Sequence, residues 1–161
     1  MHIKLLQLKN FDIFKQLQIE EAILRNNSSS ENYCIINMGS RKSIVLGISS
    51  NADKHIENFD KGIPIIRRFS GGGSVVVDEN TIFISFIISK KFLNFSYPEH
   101  IYSWLNNFYK KIFTIDGFSL KENDFVIFDK KFGGNAQYIK KDRWLHHTSF
   151  LWDFKNSNMD L

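Results

Sequence analysis

From Phe11 to Arg25 apolar residues recur at helical spacing. At about 100° per residue, Ile13, Phe14, Leu17 and Leu24 share one side, with Glu20 and Glu21 facing away from part of it. The polar stretch NNSSSEN, Asn26 to Asn32, then breaks the pattern as a loop. YCIINM and SIVLGI are short runs of strand formers separated by GSRK, which predicts a hairpin. Ala52 to Asp60 reads as a short helix with Gly62 as its C-cap. Ile63 to Phe69 is a strand that runs into three glycines, and Ser74–Val77 and Thr81–Ser89 are strands joined by the turn DEN. In SYPEHIYSWLNNFYKKIF, Pro98 suits a first helical turn, and Ile101, Leu105, Phe108 and Ile112 form one stripe. A meander follows: FVIF, a turn at DK, KFGGNAQYI, a turn at KKDR, and WLHHTSFLW. Strands dominate, with helices before and between them. The pattern predicts an α+β fold, a mixed or antiparallel β-sheet packed with helices, and not the βαβ alternation of a Rossmann domain.

Length and composition narrow this little. The 161 residues fit a single domain, 1–161, and 43% hydrophobic with 15% aromatic content belongs to a globular chain. No apolar run reaches the roughly 18 residues that span a bilayer, and MHIKLLQLKN lacks the apolar block of a secretory signal. The single cysteine, Cys34, allows no internal disulfide and fits a reducing compartment. A cytoplasmic monomer is the expectation, with an organelle as the alternative if a transit segment once preceded this sequence. The net charge of +4 admits an anionic ligand, but basic and acidic residues are interspersed, so neither nucleic acid nor a membrane is expected as a partner.

Chemistry gathers in two places. RRFSGGGSVVVD, Arg67 to Asp78, joins two arginines to Gly71, Gly72 and Gly73. Glycines admit positive φ and close approach to the main chain, so successive amides can form an anion nest; arginine adds a fork that matches carboxylate or phosphate. On a strand Arg67 and Arg68 face opposite sides, so one of them reaches a given ligand. A flexible turn with both arginines solvated is the alternative. No Gly-Lys-Ser/Thr and no GxGxxG is present, which excludes the P-loop and dinucleotide readings. DKKFGGNAQ, Asp129 to Gln137, repeats the pairing of cation and glycines, with Lys131 beside Gly133 and Gly134, and with Asn135 and Gln137 as side-chain donors. In WLHHTSFLW, alternation turns His146 and His147 to opposite faces, poor geometry for one metal. Each reads better as a packed, hydrogen-bonded histidine. Cys34, inside the apolar NYCIIN, reads as a structural thiol.

These segments resemble the lipoate–protein ligase A family, within the group that holds biotin and lipoate protein ligases and octanoyl transferases. RRFSGGGSVVVD resembles the family's RRxSGGGAVYHD, KKFGGNAQ its KISGNAQ, and LHHTSFL its LHHGTLL; FKQLQIEEAILR is similar to its opening helix. The resemblance runs from about Leu5 to Phe154, with the motifs in family order. It implies a biotin/lipoate ligase-like catalytic domain that joins lipoate to ATP as lipoyl-AMP and passes the acyl group to a lysine of a lipoyl domain. The carriers implied are the lipoyl domains of 2-oxoacid dehydrogenases or the glycine cleavage H protein. Lys131 matches the family's reactive-site lysine, which neutralises charge between carboxylate and α-phosphate. Arg67, Arg68, Ser70, Gly71, Gly72, Gly73, Asp78, Gly134, Asn135 and His147 match motif positions that bind substrate or ATP. Asn123 and Asp124 fall where the family carries an Asn-Asp pair near the nucleotide, and Asp124 is the position for orienting Lys131 or Mg2+. Val75 and Val77 are placed to take the acyl tail, of lipoate or octanoate.

Departures are equally specific. Val76-Val77 replace the family's Tyr-His, and Thr148-Ser149 replace Gly-Thr, as in a divergent branch of the family. The octanoyl transferase motif RGGxxTxH and the GRGRxGR-type loop of biotin ligases are missing. Family catalytic domains continue beyond the third motif, so the resemblance implies a domain cut short at its C-terminus. Two alternatives stay open: ATP-independent lipoyl or octanoyl transfer, and a pseudo-ligase that binds lipoyl domains without chemistry.

Overall fold

The computed structural model describes residues 2–26, 31–54, 56, 62–153 and 158. Seven strands form the main sheet, in the order β1 (Ile3–Lys9), β2 (Asn32–Met38), β6 (Thr81–Ser89), β10 (Arg143–Leu151), β9 (Lys130–Ile139), β8 (Asp124–Ile127) and β7 (Phe118–Lys121). β1 pairs parallel to β2, and every other neighbour in this sheet is antiparallel. A small sheet of β4 (Ile65–Arg67), β3 (Ser43–Leu46) and β5 (Val75–Val77) stands apart, with β3 parallel to β4 and antiparallel to β5. The mixed α+β arrangement expected from the sequence is therefore present.

Two local expectations change. YCIINM and SIVLGI are not a hairpin, because β2 joins the main sheet and β3 the small one. The same partition separates β5 from β6, so the DEN turn links two sheets instead of two paired strands. β1 and β7 are strands that the sequence pattern did not mark. Of the helix expected at Ala52 to Asp60, a 3-10 turn covers Ala52–Lys54, and residues 55 and 57–60 lie outside the described residues, as do 27–30 of the polar loop.

The helices take the two faces of the main sheet. α1 (Ile13–Arg25) starts after Asp12, whose carboxylate caps it by accepting from Lys15 N at 3.2 Å. Its buried stripe is Ile13, Gln16, Leu17, Glu20 and Leu24; Phe14 is 50% exposed. The sequence reading was turned by one position here, because a polar network holds Glu20 inside. α2 (Pro98–Lys110) buries Ile101, Leu105 and Tyr109 against the opposite face. Ile112 is exposed because the helix ends before it, at the cap residue Lys111.

Between α2 and the sheet lies a dense aromatic core. Phe118 and Phe125 stack at 5.5 Å, and Tyr109 meets Phe150 edge to face at 5.0 Å. Trp144 is fully buried, with Nε1 donating to Leu93 O at 3.1 Å. This packing fixes the register of β8, β9 and β10, whose other face carries polar residues. A second core of Ile13, Leu17, Val45, Ile66, Val77 and Phe83 ties α1 to both sheets.

Candidate functional site

Where α1, the small sheet and the main sheet meet, a cleft of about 420 Å3 opens. Its apolar wall is Ile13, Leu17, Val45, Val75, Val77 and Phe83. Its polar wall includes Arg68, Gly72 and Gly73 on one side and Asn123, Asp124, Lys131 and Gly134 on the other. A long apolar lining beside a compact cationic and amide-rich end suits an amphiphilic anion.

The glycine loop is held by its carbonyls. Arg68, buried in spite of its charge, donates from Nη2 to Gly71 O at 2.8 Å and to Gly73 O at 2.9 Å, and from Nε to Gly71 O at 3.2 Å. Burial lowers the affinity of its guanidinium for its proton, and the carbonyl partners keep the charge tolerable. Ile48 N donates to Ser70 O at 3.0 Å, Gly47 N to Gly73 O at 3.2 Å and Ser50 Oγ to Gly72 O at 3.2 Å. With those carbonyls drawn away, the amides of Gly71, Gly72 and Gly73 donate no hydrogen bond among the described residues. Gly72 has φ +97°, which a side chain resists.

The arginines do take opposite sides. Arg67 turns away from the cleft and donates from Nη1 to the carbonyls of Gly47, Ile48 and Ser50. Arg68 lines the cleft but clasps the loop itself. As the protein stands, both guanidiniums act as backbone braces more than as anion clamps. Lys131 is the better placed cation.

β9 presents Lys131 through an irregularity. The ladder with β8 pairs Phe125 with Gly133 and Val126 with Lys131, leaving Phe132 as a bulge. Strict alternation would put Lys131 on the face of Gly133, where a Cβ would meet Phe150 at 2.7 Å. The bulge returns Lys131 to the cleft, with Cε 3.4 Å from where a Cβ on Gly134 would stand. Lys131 Nζ pairs with Asp124 Oδ2 at 2.7 Å. Asp124 opens β8 after a two-residue turn, Glu122 and Asn123, with φ of 49° and 72°. Asn135 Nδ2 donates to Asn123 O at 2.9 Å and pins that turn to β9.

His146 and His147 face opposite sides of β10, as alternation requires. His146 is buried under Tyr102, burial pushes its basicity well down, and its Nε2 lies 3.0 Å from Asn135 Oδ1. His147 lines the cleft between Ser70 Oγ and Glu20 Oε2, each 2.9 Å away. Ser70 and Gly71 stand behind the wall rather than on it. Asp78 lies outside the cleft: its carboxylate accepts from Asn80 N at 2.9 Å and Thr81 Oγ1 at 3.2 Å, closing the turn between the sheets. Its other oxygen, Oδ2, accepts from Asn158 Nδ2 at 3.0 Å.

Cys34 sits among the residues packed on the aromatic core, away from the cleft, and burial pushes its thiol up to about 11. A thioester route through Cys34 has no geometry here. At pH 8 the folded protein should react with a disulfide reagent at least ~10-fold more slowly than after denaturation, measured by thiol release; equal rates would contradict this burial.

Among the residues that shape the cleft or its loop and escaped the sequence reading are Glu20, Gly47 and Tyr102. Glu20 occupies a helical stripe position (13, 17, 20, 24) that its charge disguised. Gly47 stands where a Cβ would lie 1.9 Å from Gly72 O, so the loop can approach β3 only because that position is glycine. Tyr102 reaches the cleft from α2, its phenol pushed up to about 12 by burial and by Asp124. Among the described residues no group of three or more His, Cys, Asp or Glu can hold a metal ion.

The family model for the lipoyl protein ligase A/B catalytic domain matches residues 12–161. The chain is 29% identical to Plasmodium falciparum inactive lipoate–protein ligase 2, over 95% of this chain and 56% of that protein. It is 28% identical to the Bacillus subtilis lipoate–protein ligase LplJ, over 85% of this chain and 42% of that protein. It thus spans about half the length of the curated relatives it matches. Among solved structures, a T. acidophilum protein with bound lipoic acid superposes with TM-score 0.84 at 21% identity, covering 99% of this chain and 72% of that one. A lipoate–protein ligase A bound with ATP gives TM-score 0.78 at 19% identity, with 96% and 68% covered. At such identities these two speak for the fold.

Proposed function

Since the chain belongs to the lipoyl protein ligase A/B catalytic-domain family, we propose that it activates lipoate with ATP and transfers the lipoyl group to a lysine of a lipoyl domain. In the first step the carboxylate oxygen attacks the α-phosphorus, the bond to the β-phosphate breaks, and pyrophosphate leaves with its electron pair. In the second, the lysine amine attacks the anhydride carbonyl, an amide forms, AMP departs, and the amine loses a proton to solvent.

The observation that carries this reading is that Lys131 and two residues of the glycine loop, Gly72 and Gly73, whose amides donate no hydrogen bond among the described residues, line one cleft together with an apolar wall. Two anions must be brought together before reaction, and fixed cations and backbone donors reduce their repulsion. An ammonium has three donors; Asp124 takes one, which leaves two for a carboxylate and a phosphate oxygen. The apolar wall from Ile13 to Phe83 then receives the acyl tail. Mg2+ would enter on the nucleotide and offset charge on its phosphates. Of two solved proteins of this fold, one carries lipoic acid and the other ATP.

The likeness to an inactive ligase, and the engagement of both arginines by carbonyls, favour one competing reading: a pseudo-ligase that binds an acyl group or a lipoyl domain without adenylation. Lipoate-dependent exchange of labelled pyrophosphate into ATP decides between them. We expect exchange above the background without lipoate, and a lipoyl-sized mass increase on an added lipoyl domain. No exchange, together with a mass increase from a pre-acylated carrier, would instead assign ATP-independent transfer.

A further inference from the structure

Ser70, His147 and Glu20 come from three separate segments and form one continuous hydrogen-bonded chain. His147 pairs across β10 with Ser85 on β6 and Ala136 on β9, and α1 lowers Glu20 onto that face. Glu20 is 0% exposed. Its Oε1 accepts from Ser85 Oγ at 2.6 Å and from Gln16 Nε2 at 2.8 Å, and Gln16 Oε1 accepts from Asn37 Nδ2 at 2.9 Å. A carboxylate can only accept, so a neutral His147 beside it carries its proton on Nδ1, toward Glu20 Oε2. Nε2 is left to accept the Ser70 hydroxyl proton.

Serine, histidine and carboxylate in this order also describe a hydrolase triad. Ser70 is unsuited to attack, since it is 0% exposed and stands behind the cleft wall. What the chain grips is the first residue of the glycine loop. Arg68 holds the loop's carbonyls from the small-sheet side. Ser70–His147 ties the same loop to the main sheet. The loop is thus set between two sheets that share no strand.

We propose that Glu20 is a positioning residue. By imposing one tautomer on His147 it anchors Ser70, and so holds the loop in the setting that brings Gly72 and Gly73 to the cleft. The consequence for ligand affinity rests on the adenylation reading above; the anchoring does not.

Imidazole 15N NMR on the full chain tests this directly. In the native protein His147 should carry its proton on Nδ1. The carboxamide introduced by Glu20→Gln can donate to Nδ1, so the proton should move to Nε2, and the amide resonances of Gly71, Gly72 and Gly73 should shift with it. Ser70→Ala should move the same glycine amides while leaving the tautomer in place. Affinity for lipoate, by calorimetry, should fall about tenfold in either variant, the size of one lost hydrogen bond. Combining the two substitutions should add no further loss. A native His147 protonated on Nε2, or glycine amides unmoved by both substitutions, would overturn the proposal. If Glu20→Gln does not fold, Ser70→Ala carries the test, and unmoved glycine amides again overturn it. A native chain that binds no lipoate, with resonances responding as described, would remove the adenylation reading and leave the anchoring in place.

Discussion

Lys131→Ala should lower lipoate-dependent pyrophosphate exchange by about 100-fold or more while shifting the thermal midpoint by little. The stability half follows from exposure. The Lys131 side chain is 56% exposed and that of Asp124 33%, and ion pairs in such settings contribute about 0–1 kcal/mol. The activity half follows from position. Removing one preorganised group that offsets developing charge costs about 10²–10³ in rate. Lys131→Arg should recover little, because a planar fork cannot replace a compact ammonium with rotatable donors. Exchange and circular dichroism on one sample make the comparison. Full exchange in folded Lys131→Ala protein would remove Lys131 from the chemistry.

Gly47→Ala should disable the glycine loop from a distance in sequence. A Cβ there would stand 1.9 Å from Gly72 O and 2.9 Å from Gly72 C, both backbone atoms that cannot swing aside. Either β3 or the loop must move, and overpacking of this kind costs about 1–3 kcal/mol. The loop is the weaker party, because Gly71 and Gly73 face open space. Lipoate affinity should therefore drop at least ~10-fold, together with the melting temperature. Gly71→Ala is the matched control: nothing lies within 4 Å of its Cβ, so both quantities should stay near native. Equal behaviour of the two variants would show that the close approach at Gly47 does not set the loop.

How legible the site was differed between its parts. Arg67–Gly73 and Lys131–Asn135 stood out because cations beside glycines serve few structural needs. The opposed directions of Arg67 and Arg68, and of His146 and His147, followed from strand alternation alone. What each arginine touches did not follow: their carbonyl partners include residues of a different strand, β3, and of the segment after it. Lys131 is the reverse case. Simple alternation would have sent it to the aromatic core, and the bulge at Phe132 corrects that. Glu20 was misplaced because a carboxylate marks a solvent face unless donors surround it, and those donors, Ser85 and His147, lie 65 and 127 residues away. Asp78 was drawn in by its motif, while its carboxylate is engaged by the turn residues Asn80 and Thr81 and, from the far end of the chain, by Asn158.

Short-range physics, then, was enough to mark the α+β class, the two main helices, most strands and the two glycine–cation segments, since periodicity and backbone freedom are local properties. Which strands share a sheet, and whether a buried polar side chain is satisfied, depend on residues far apart in the chain. Only the tertiary structure could split β3, β4 and β5 from the main sheet, admit Glu20 to the interior, and bring Lys131 opposite the loop that Gly47 makes room for.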